Sequence, residues 1–215
     1  MKRTLLAVVA VALFAVISQT AWAGSINVST GLDSSGALIT TGGQGDANWT
    51  VGGNPAQVVV STSADWYGGW VADGPNSDWI AINAGTANNG PAPYTFSTTF
   101  DLTGYDLSTV SLSGFWTIDD GGMLDLNGNQ IDSLSVNNNP WTSLHSFSTI
   151  SSYFLPGINT LSITITDSDN TYEGVRLQGS VTGTTVPEPA TLSLTLLGLA
   201  FLILAAWRKK LLKMA

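Results

Sequence analysis

The stretch ADWYGGWVADG, residues 64–74, concentrates side chains suited to small-ligand recognition. It holds Trp66, Tyr67 and Trp70 beside two aspartates, with glycines between them. Aromatic rings can stack on the apolar C–H faces of a sugar ring, while carboxylates accept hydrogen bonds from its hydroxyl groups. Large aromatic residues also fill protein cores, so the pattern leaves two alternatives, a sugar-contacting surface or a packed interior.

Oxygen-bearing side chains gather in Asp119-Asp120 and again around Asp125. Calcium and other hard cations are bound by such oxygens, which makes the three aspartates the metal candidates and calcium the one cofactor to consider. The run that starts at Asp125 imitates the opening of a calcium-binding loop. Gln130 and Val136 stand where that template has glycine and glutamate, so the template itself is not met.

Arg176 is the one basic residue between positions 24 and 186. The alternation of its strand predicts that it lies on the polar face. A guanidinium there would either form paired hydrogen bonds with sugar hydroxyls or bind one of the many carboxylates and hold two strands in register.

Several classes of enzyme lack the residues they need. His145 is the only histidine and there is no cysteine, which excludes a Cys-His nucleophile and a histidine-rich zinc site. The glycine-rich TGGQGD is not followed by lysine, which excludes a phosphate-binding loop. A hydrolase that uses two carboxylates, Asp119 with Asp120 or with Asp125, stays open, but we expect a module that is not an enzyme.

Four segments alternate apolar and polar residues with the period of a β-strand: YTFSTTFDL, VSLSGFWTI, LSITI and VRLQGSV. Asn127-Gly128-Asn129 lies between two shorter apolar runs and predicts a tight hairpin. Further strands are predicted over residues 26–29, 37–40, 49–51, 57–61, 79–82, 123–126, 130–134 and 146–150.

Many short strands without a helical repeat between them favour an all-β fold. We predict a two-sheet antiparallel β-sandwich of the jelly-roll type, with a closed barrel as the alternative. A signal peptide and a transmembrane helix are predicted to flank it, at residues 1–23 and within residues 184–215, leaving 24–183 as the sandwich module.

The N-terminal segment has the three parts of a secretory signal peptide. A basic start is followed by an apolar stretch over residues 4–17 and by the small residues of Ala21-Trp22-Ala23. We therefore expect export with cleavage after Ala23.

The C-terminal segment has the composition of a membrane anchor. Residues 190–207 carry no charge, and as a helix they would be about 27 Å long, enough to span a bilayer. Arg208, Lys209 and Lys210 follow at once, and basic residues beside a span stay on the cytoplasmic side. The module is therefore expected outside the inner membrane.

Residues 24–186 carry 14 carboxylates against one arginine, a formal charge of −13. Because nucleic acids and anionic lipid headgroups are bound by Lys and Arg, this balance argues against both as partners. It favours solubility, cation uptake and neutral or basic partners.

The order Val186-Pro187-Glu188-Pro189, an apolar span and then Arg208-Lys209-Lys210 resembles the PEP-CTERM sorting signal of exported bacterial proteins. The resemblance implies that an exosortase-type membrane protease recognises the chain and processes it near the Pro-Glu-Pro motif. The module would then reach the cell surface or the extracellular matrix.

Residues 46–183 resemble the galactose-binding-like jelly rolls, on the strength of TFDLTGYDLSTVSLSGFWTIDDGGMLDLNGNQID, FSTISSYFLPGINTLSITITD and EGVRLQGSV. This resemblance implies a module that commonly binds glycans, often holds a structural calcium and has no catalytic residues. We therefore expect an exported protein that binds extracellular polysaccharide, with Trp66, Tyr67, Trp70 and Arg176 as candidate contacts. A purely structural matrix protein is the alternative.

Overall fold

The computed structural model describes residues 21–149, 151–167, 169–186, 195 and 198–202. Residues 1–20 and most of the C-terminal segment lie outside this range, and so do the motif Pro187-Glu188-Pro189 and the basic Arg208-Lys209-Lys210. None of the helices in the described part of the chain has the length and apolarity needed to span a bilayer.

Eleven strands make up the compact unit Ala23–Thr184, and every pair of neighbours is antiparallel. The strands are β1 (Ala23–Asn27), β2 (Gly45–Val51), β3 (Asn54–Val59), β4 (Trp79–Ala81), β5 (Tyr94–Asp101), β6 (Ser111–Asp119), β7 (Gly121–Leu126), β8 (Asn129–Leu134), β9 (His145–Thr149), β10 (Ile158–Asp167) and β11 (Gly174–Thr184). Single 3₁₀ turns lie at Leu107–Thr109, Val136–Asn138, Pro140–Thr142 and Ser151–Tyr153.

The strand order is β8-β7-β10-β5-β2-β3-β4-β11-β6-β9, with β1 also paired to β11. The hairpin from β2 to β3 and the short β4 connect the two layers of the sandwich by hydrogen bonds. Buried side chains of both layers belong to one core, which includes Phe96 and Ile163 from one side and Trp116 and Leu177 from the other. The predicted jelly-roll sandwich is confirmed.

This core is formed by the alternate residues of each strand, whose side chains point inward. In β11 the inward residues Val175, Leu177 and Val181 are buried in it, and β6 contributes its own alternate residues. The hairpin predicted at Asn127-Gly128 is present. Both residues have positive φ, 51° and 77°, as a two-residue type I′ turn requires.

One predicted strand is wrong. Residues 37–40 form no strand, and the segment has only an isolated bridge from Leu38 to Leu32. Asp33 explains the difference, because its carboxylate accepts hydrogen bonds from the backbone N–H groups of Ser35 and Ala37 and folds the chain into a local turn.

The outer face of the layer β4-β11-β6-β9 is covered at one end by a second apolar cluster. Trp70 and Trp79 are buried there together with Val59, Ala81 and Ala84, and four further side chains pack against them: Trp66, Val71, Trp141 and Tyr172. We call this cluster the outer layer. It positions the candidate binding residues.

Candidate binding site

Trp70 is buried in the outer layer and anchors it to the sandwich. Its side chain is 5 % exposed, and its ring stacks on Trp79 with centroids 4.1 Å apart and planes 15° apart. The indole N–H donates a 2.6 Å hydrogen bond to Oδ2 of Asp119 at the end of β6. Trp70 thus lies beneath the surface that its neighbours form.

Tyr67 is the exposed member of the aromatic stretch, with 40 % of its surface open to solvent. Its ring lies 5.5 Å from that of Tyr172, with the planes tilted by 39°. Trp66 is half-buried and meets the edge of Trp70 at 5.8 Å. We call Trp66, Tyr67 and Tyr172 the tyrosine surface.

Tyr172 occupies an unusual backbone position. Its φ of 50° lies in the left-handed region, which a bulky residue rarely adopts. The backbone N–H of Tyr172 donates to the carbonyl of Ala87 at 2.9 Å, and Asp169 accepts a 2.8 Å hydrogen bond from the N–H of Thr171 in the same loop. These contacts hold the loop in the shape that places Tyr172 against Tyr67.

A group of carboxylates continues from this loop. One oxygen each of Asp120, Asp169 and Glu173 lies within 4.8 Å of the others, and the N–H of Asp169 donates to Oδ2 of Asp120 at 3.0 Å. We call these three residues the acidic group. Because Gly174 pairs with Asp119, the register of β11 on β6 brings Glu173 next to Asp120.

Asp119 itself faces Trp70. Its pKa is raised to about 8, chiefly by burial; the hydrogen bond from Trp70 acts in the opposite direction, while a hydrogen bond with Asp120 and the charges of Asp120 and Glu173 contribute to the rise. Asp125 lies on β7, where it pairs in register with Ser162 of β10, and it is not part of the acidic group. Of the three metal candidates, only Asp120 belongs to a carboxylate cluster in the described residues.

Arg176 is 2 % exposed, whereas the alternation of its strand predicts a solvated side chain. Residues 72–77 cover it. Its Nε donates to Oγ of Ser77 at 3.0 Å, and its Nη1 donates to the carbonyl of Ala72. The charges of Asp73 and Asp78 act on the guanidinium as well. These contacts hold the covering segment onto β11.

Asp65 is fully buried below Trp66. Its Oδ1 accepts a 2.8 Å hydrogen bond from the side-chain amide of Asn89, and its Oδ2 has no partner among the described residues. Burial raises the pKa of Asp65 to about 8, with the bond from Asn89 a smaller opposing effect. The carboxyl group therefore keeps its proton at neutral pH.

Three residues of this region were missed in the sequence: Asp169, Tyr172 and Glu173. They lie in DSDNTYEG, an acid-rich turn between two strongly alternating strands. No local sequence pattern identifies them, because it is the pairing of the last strand with β6 that places this turn beside Asp119-Asp120.

The C-terminal part of the chain carries a sorting motif. Residues 185–210 match the PEP-CTERM protein-sorting motif. This match covers the Pro-Glu-Pro triplet, the apolar span and the basic residues through Lys210. No curated protein matches the chain significantly.

Solved structures with similar architecture include carbohydrate-binding modules. A family 35 module from Cellvibrio japonicus is 13 % identical, with a TM-score of 0.39 over 78 % of this chain and 99 % of that one. A family 36 module in complex with calcium and xylotriose is 13 % identical, with a TM-score of 0.36 over 67 % and 100 %. A family 35 module from Clostridium thermocellum is 9 % identical, with a TM-score of 0.35 over 61 % and 90 %. None of these similarities assigns a ligand to this chain.

The protonated state of Asp65 generates a prediction about stability. Because its pKa is raised in the folded state, the native protein binds more protons than the unfolded chain between about pH 4 and pH 8. The free energy of unfolding should therefore fall as the pH rises through that window. Asp65→Asn removes this titration and should make the fall shallower, while Asp119 still contributes its own share.

Urea unfolding of both proteins at pH 5 and pH 7.5 measures the effect. Asp33→Asn is the matched control, since the pKa of Asp33 is lowered by its hydrogen bonds and this carboxylate titrates below the window. Equal pH dependence in the wild type and Asp65→Asn would contradict the assignment.

Proposed function

We propose that this chain is exported, processed at its sorting motif by an exosortase-type protease, and bound to extracellular polysaccharide through the tyrosine surface. The single observation that carries the binding proposal is the contact between exposed Tyr67 and half-buried Tyr172, whose chain neighbour Glu173 belongs to the acidic group. Aromatic rings can stack on the apolar C–H face of a sugar ring, and the neighbouring carboxylates can accept hydrogen bonds from its hydroxyl groups.

The chemistry of the tyrosine surface suits a sugar better than a flat apolar partner. Tyr67 offers a ring face and a hydroxyl group, and half-buried Tyr172 shields one of its sides. The rigid base is the stack of Trp70 on Trp79 below Trp66. A preorganised platform loses little conformational entropy when a ligand binds, which favours affinity.

The acidic group fits a hard cation, and we propose calcium. Three carboxylate oxygens within 4.8 Å repel one another unless protons or a cation neutralise them. Calcium takes about 6–8 oxygen ligands, so backbone carbonyls, water or sugar hydroxyls would complete the set. Asp120, Asp169 and Glu173 would hold the ion, which would supply positive charge for hydroxyl oxygens beside the platform.

We further propose that the module is not catalytic. Of the carboxylates considered for glycoside hydrolysis, Asp119 is buried and accepts the indole N–H of Trp70, while Asp125 lies on β7 outside the acidic group. Asp120 lies in the acidic group, but neither of the other two lies beside it as an exposed second carboxylate, and glycoside hydrolysis requires a pair.

A purely structural matrix protein is the second candidate, and one observation favours it. Four of the six tryptophans between positions 24 and 186 are buried, namely Trp49, Trp70, Trp79 and Trp116. They serve the two cores, so the number of aromatic residues does not by itself indicate a ligand.

The sorting half of the proposal is tested by replacing Pro187-Glu188-Pro189 with three alanines. The processed form should disappear and full-length precursor should accumulate in the membrane fraction, because the protease loses its recognition motif. Immunoblots of the membrane and extracellular fractions of an exosortase-carrying bacterium measure this. Pro91→Ala, in an exposed loop, is the control, and normal processing of the triple variant would overturn the proposal.

The binding half is tested with Tyr67→Ala. Loss of the exposed ring should weaken binding to the producer's exopolysaccharide by about tenfold or more, since the contact face is removed. Co-sedimentation over a range of polysaccharide concentrations gives the affinity. Tyr153→Ala removes an aromatic residue of similar exposure on another surface and should bind like the wild type. Equal affinity of both variants would overturn the tyrosine surface as the site, and absence of binding by the wild type would support the structural alternative.

Calcium binding is tested by thermal unfolding. At a hundredfold excess over its Kd, calcium should raise the Tm by roughly 5–10 °C, because it binds only the folded protein. Asp169→Asn should abolish the shift, while Asp125→Asn should retain it. Magnesium should act more weakly because it demands stricter geometry. An equal shift in Asp169→Asn would place the cation elsewhere.

A further inference from the structure

The outer layer covers only part of the face formed by β4, β11, β6 and β9. At the covered end, Arg176 and Thr117 are buried below residues 72–77 and Pro140. At the opposite end, the outward positions of β1, β11 and β6 stay open. A cleft of about 470 Å³ lies there, and Asn76 of the covering segment forms part of its wall.

Phe115 stands in this cleft with 47 % of its side chain exposed. It lies across from Gln178 of β11 on one side and Ser146 of β9 on the other. The alternation of β6 requires an outward residue at this position, but the neighbouring outward position, Ser113, is small and polar. A single phenyl ring therefore lies open in a cleft whose other lining side chains are polar.

The other side chains that line the cleft are neutral hydrogen-bonding groups. Hydroxyl groups and carboxamides come from three strands, from Ser29 just after β1 and from the covering segment. None of the described lining residues is charged: Ser25, Asn27, Ser29, Asn76, Ser113, Gln178 and Ser180. Since residues 24–186 contain 14 carboxylates, their absence from this cleft distinguishes it from the acidic group.

We propose that this cleft is a second binding site, and that it takes a neutral polysaccharide chain. The ring of Phe115 stacks on the C–H face of one sugar residue, and the carboxamides of Asn27 and Gln178 form hydrogen bonds with its hydroxyl groups. The volume lies within the range of small-ligand sites.

The surroundings argue against other partners. One exposed ring among hydroxyl groups offers too little apolar area for a protein or a lipid surface. The cleft has no cation to neutralise an acidic polysaccharide, and the net charge of −13 on residues 24–186 repels one. A neutral glycan needs neither a large apolar area nor a cation that neutralises its charge.

This second site is separate from the tyrosine surface. Phe115 points outward from the middle of β6, whereas Asp119 at the end of that strand leads to the acidic group. Two sites on one chain would hold a polysaccharide more firmly than either alone, because the second contact becomes intramolecular.

The test is affinity electrophoresis of the full-length protein in a zwitterionic detergent, which contains no sugar that competes. Native gels contain xylan, galactomannan or a soluble β-glucan, with polygalacturonate as the anionic comparison. The wild type should be retarded by at least one neutral polysaccharide and not by polygalacturonate. Phe115→Ala should weaken this binding by about tenfold or more, and Gln178→Ala should weaken it as well.

Phe115→Trp and Tyr153→Ala are the controls. The tryptophan variant keeps an aromatic face and should still bind, which separates stacking from a general change of the strand. Tyr153→Ala removes an exposed ring outside the cleft and should match the wild type. Thermal unfolding of each variant confirms that it is folded.

The outcomes separate the two sites. Binding that is lost in Phe115→Ala but kept in Tyr67→Ala supports the cleft and counts against the tyrosine surface. Binding that is kept in Phe115→Ala overturns the cleft, whatever Tyr67→Ala does. No retardation of the wild type in any of the three neutral polysaccharides overturns it too.

Discussion

The antiparallel pairing of β11 is the constraint on which the rest of the module depends. This strand bonds to β6 along nine residue pairs, to β1 along five and to β4 at Val175. Its inward side chains belong to the main core, and its outward Arg176 holds the covering segment. The residue before the strand, Glu173, joins the acidic group, and Thr185 after it begins the sorting motif.

Burial moderates the strong negative charge of the exported part. Asp65 and Asp119 have pKa values raised to about 8, so each holds a proton at neutral pH, and the pKa of Asp78 is raised to about 6. The effective charge at pH 7 is therefore less negative than the formal −13. The remaining charge is spread unevenly, since one face collects carboxylates and the cleft around Phe115 has none.

The outer layer creates both proposed binding surfaces by covering one end of a sheet face. Trp70 and Trp79 need a second apolar cluster to be buried, and Asp119 satisfies the indole N–H of Trp70. The loops that complete this cluster carry Tyr67 and Tyr172 to the surface. The covering segment, residues 72–77, does not extend over Ser113 and Phe115, and its Asn76 forms part of the wall of the cleft.

The sequence alone determined most of the strands, the Asn127-Gly128 turn and the sorting motif, because each depends on residues close together in the chain. The alternation of apolar and polar residues predicts which side chains point into a sandwich. It does not predict whether a second layer covers the other face. For that reason it predicted a solvated Arg176 and did not decide whether Trp70 lies on the surface or in a core. Only the tertiary structure decided these positions and brought Asp120 beside Asp169 and Glu173, because contacts between residues about 50 positions apart follow from strand register and not from local pattern.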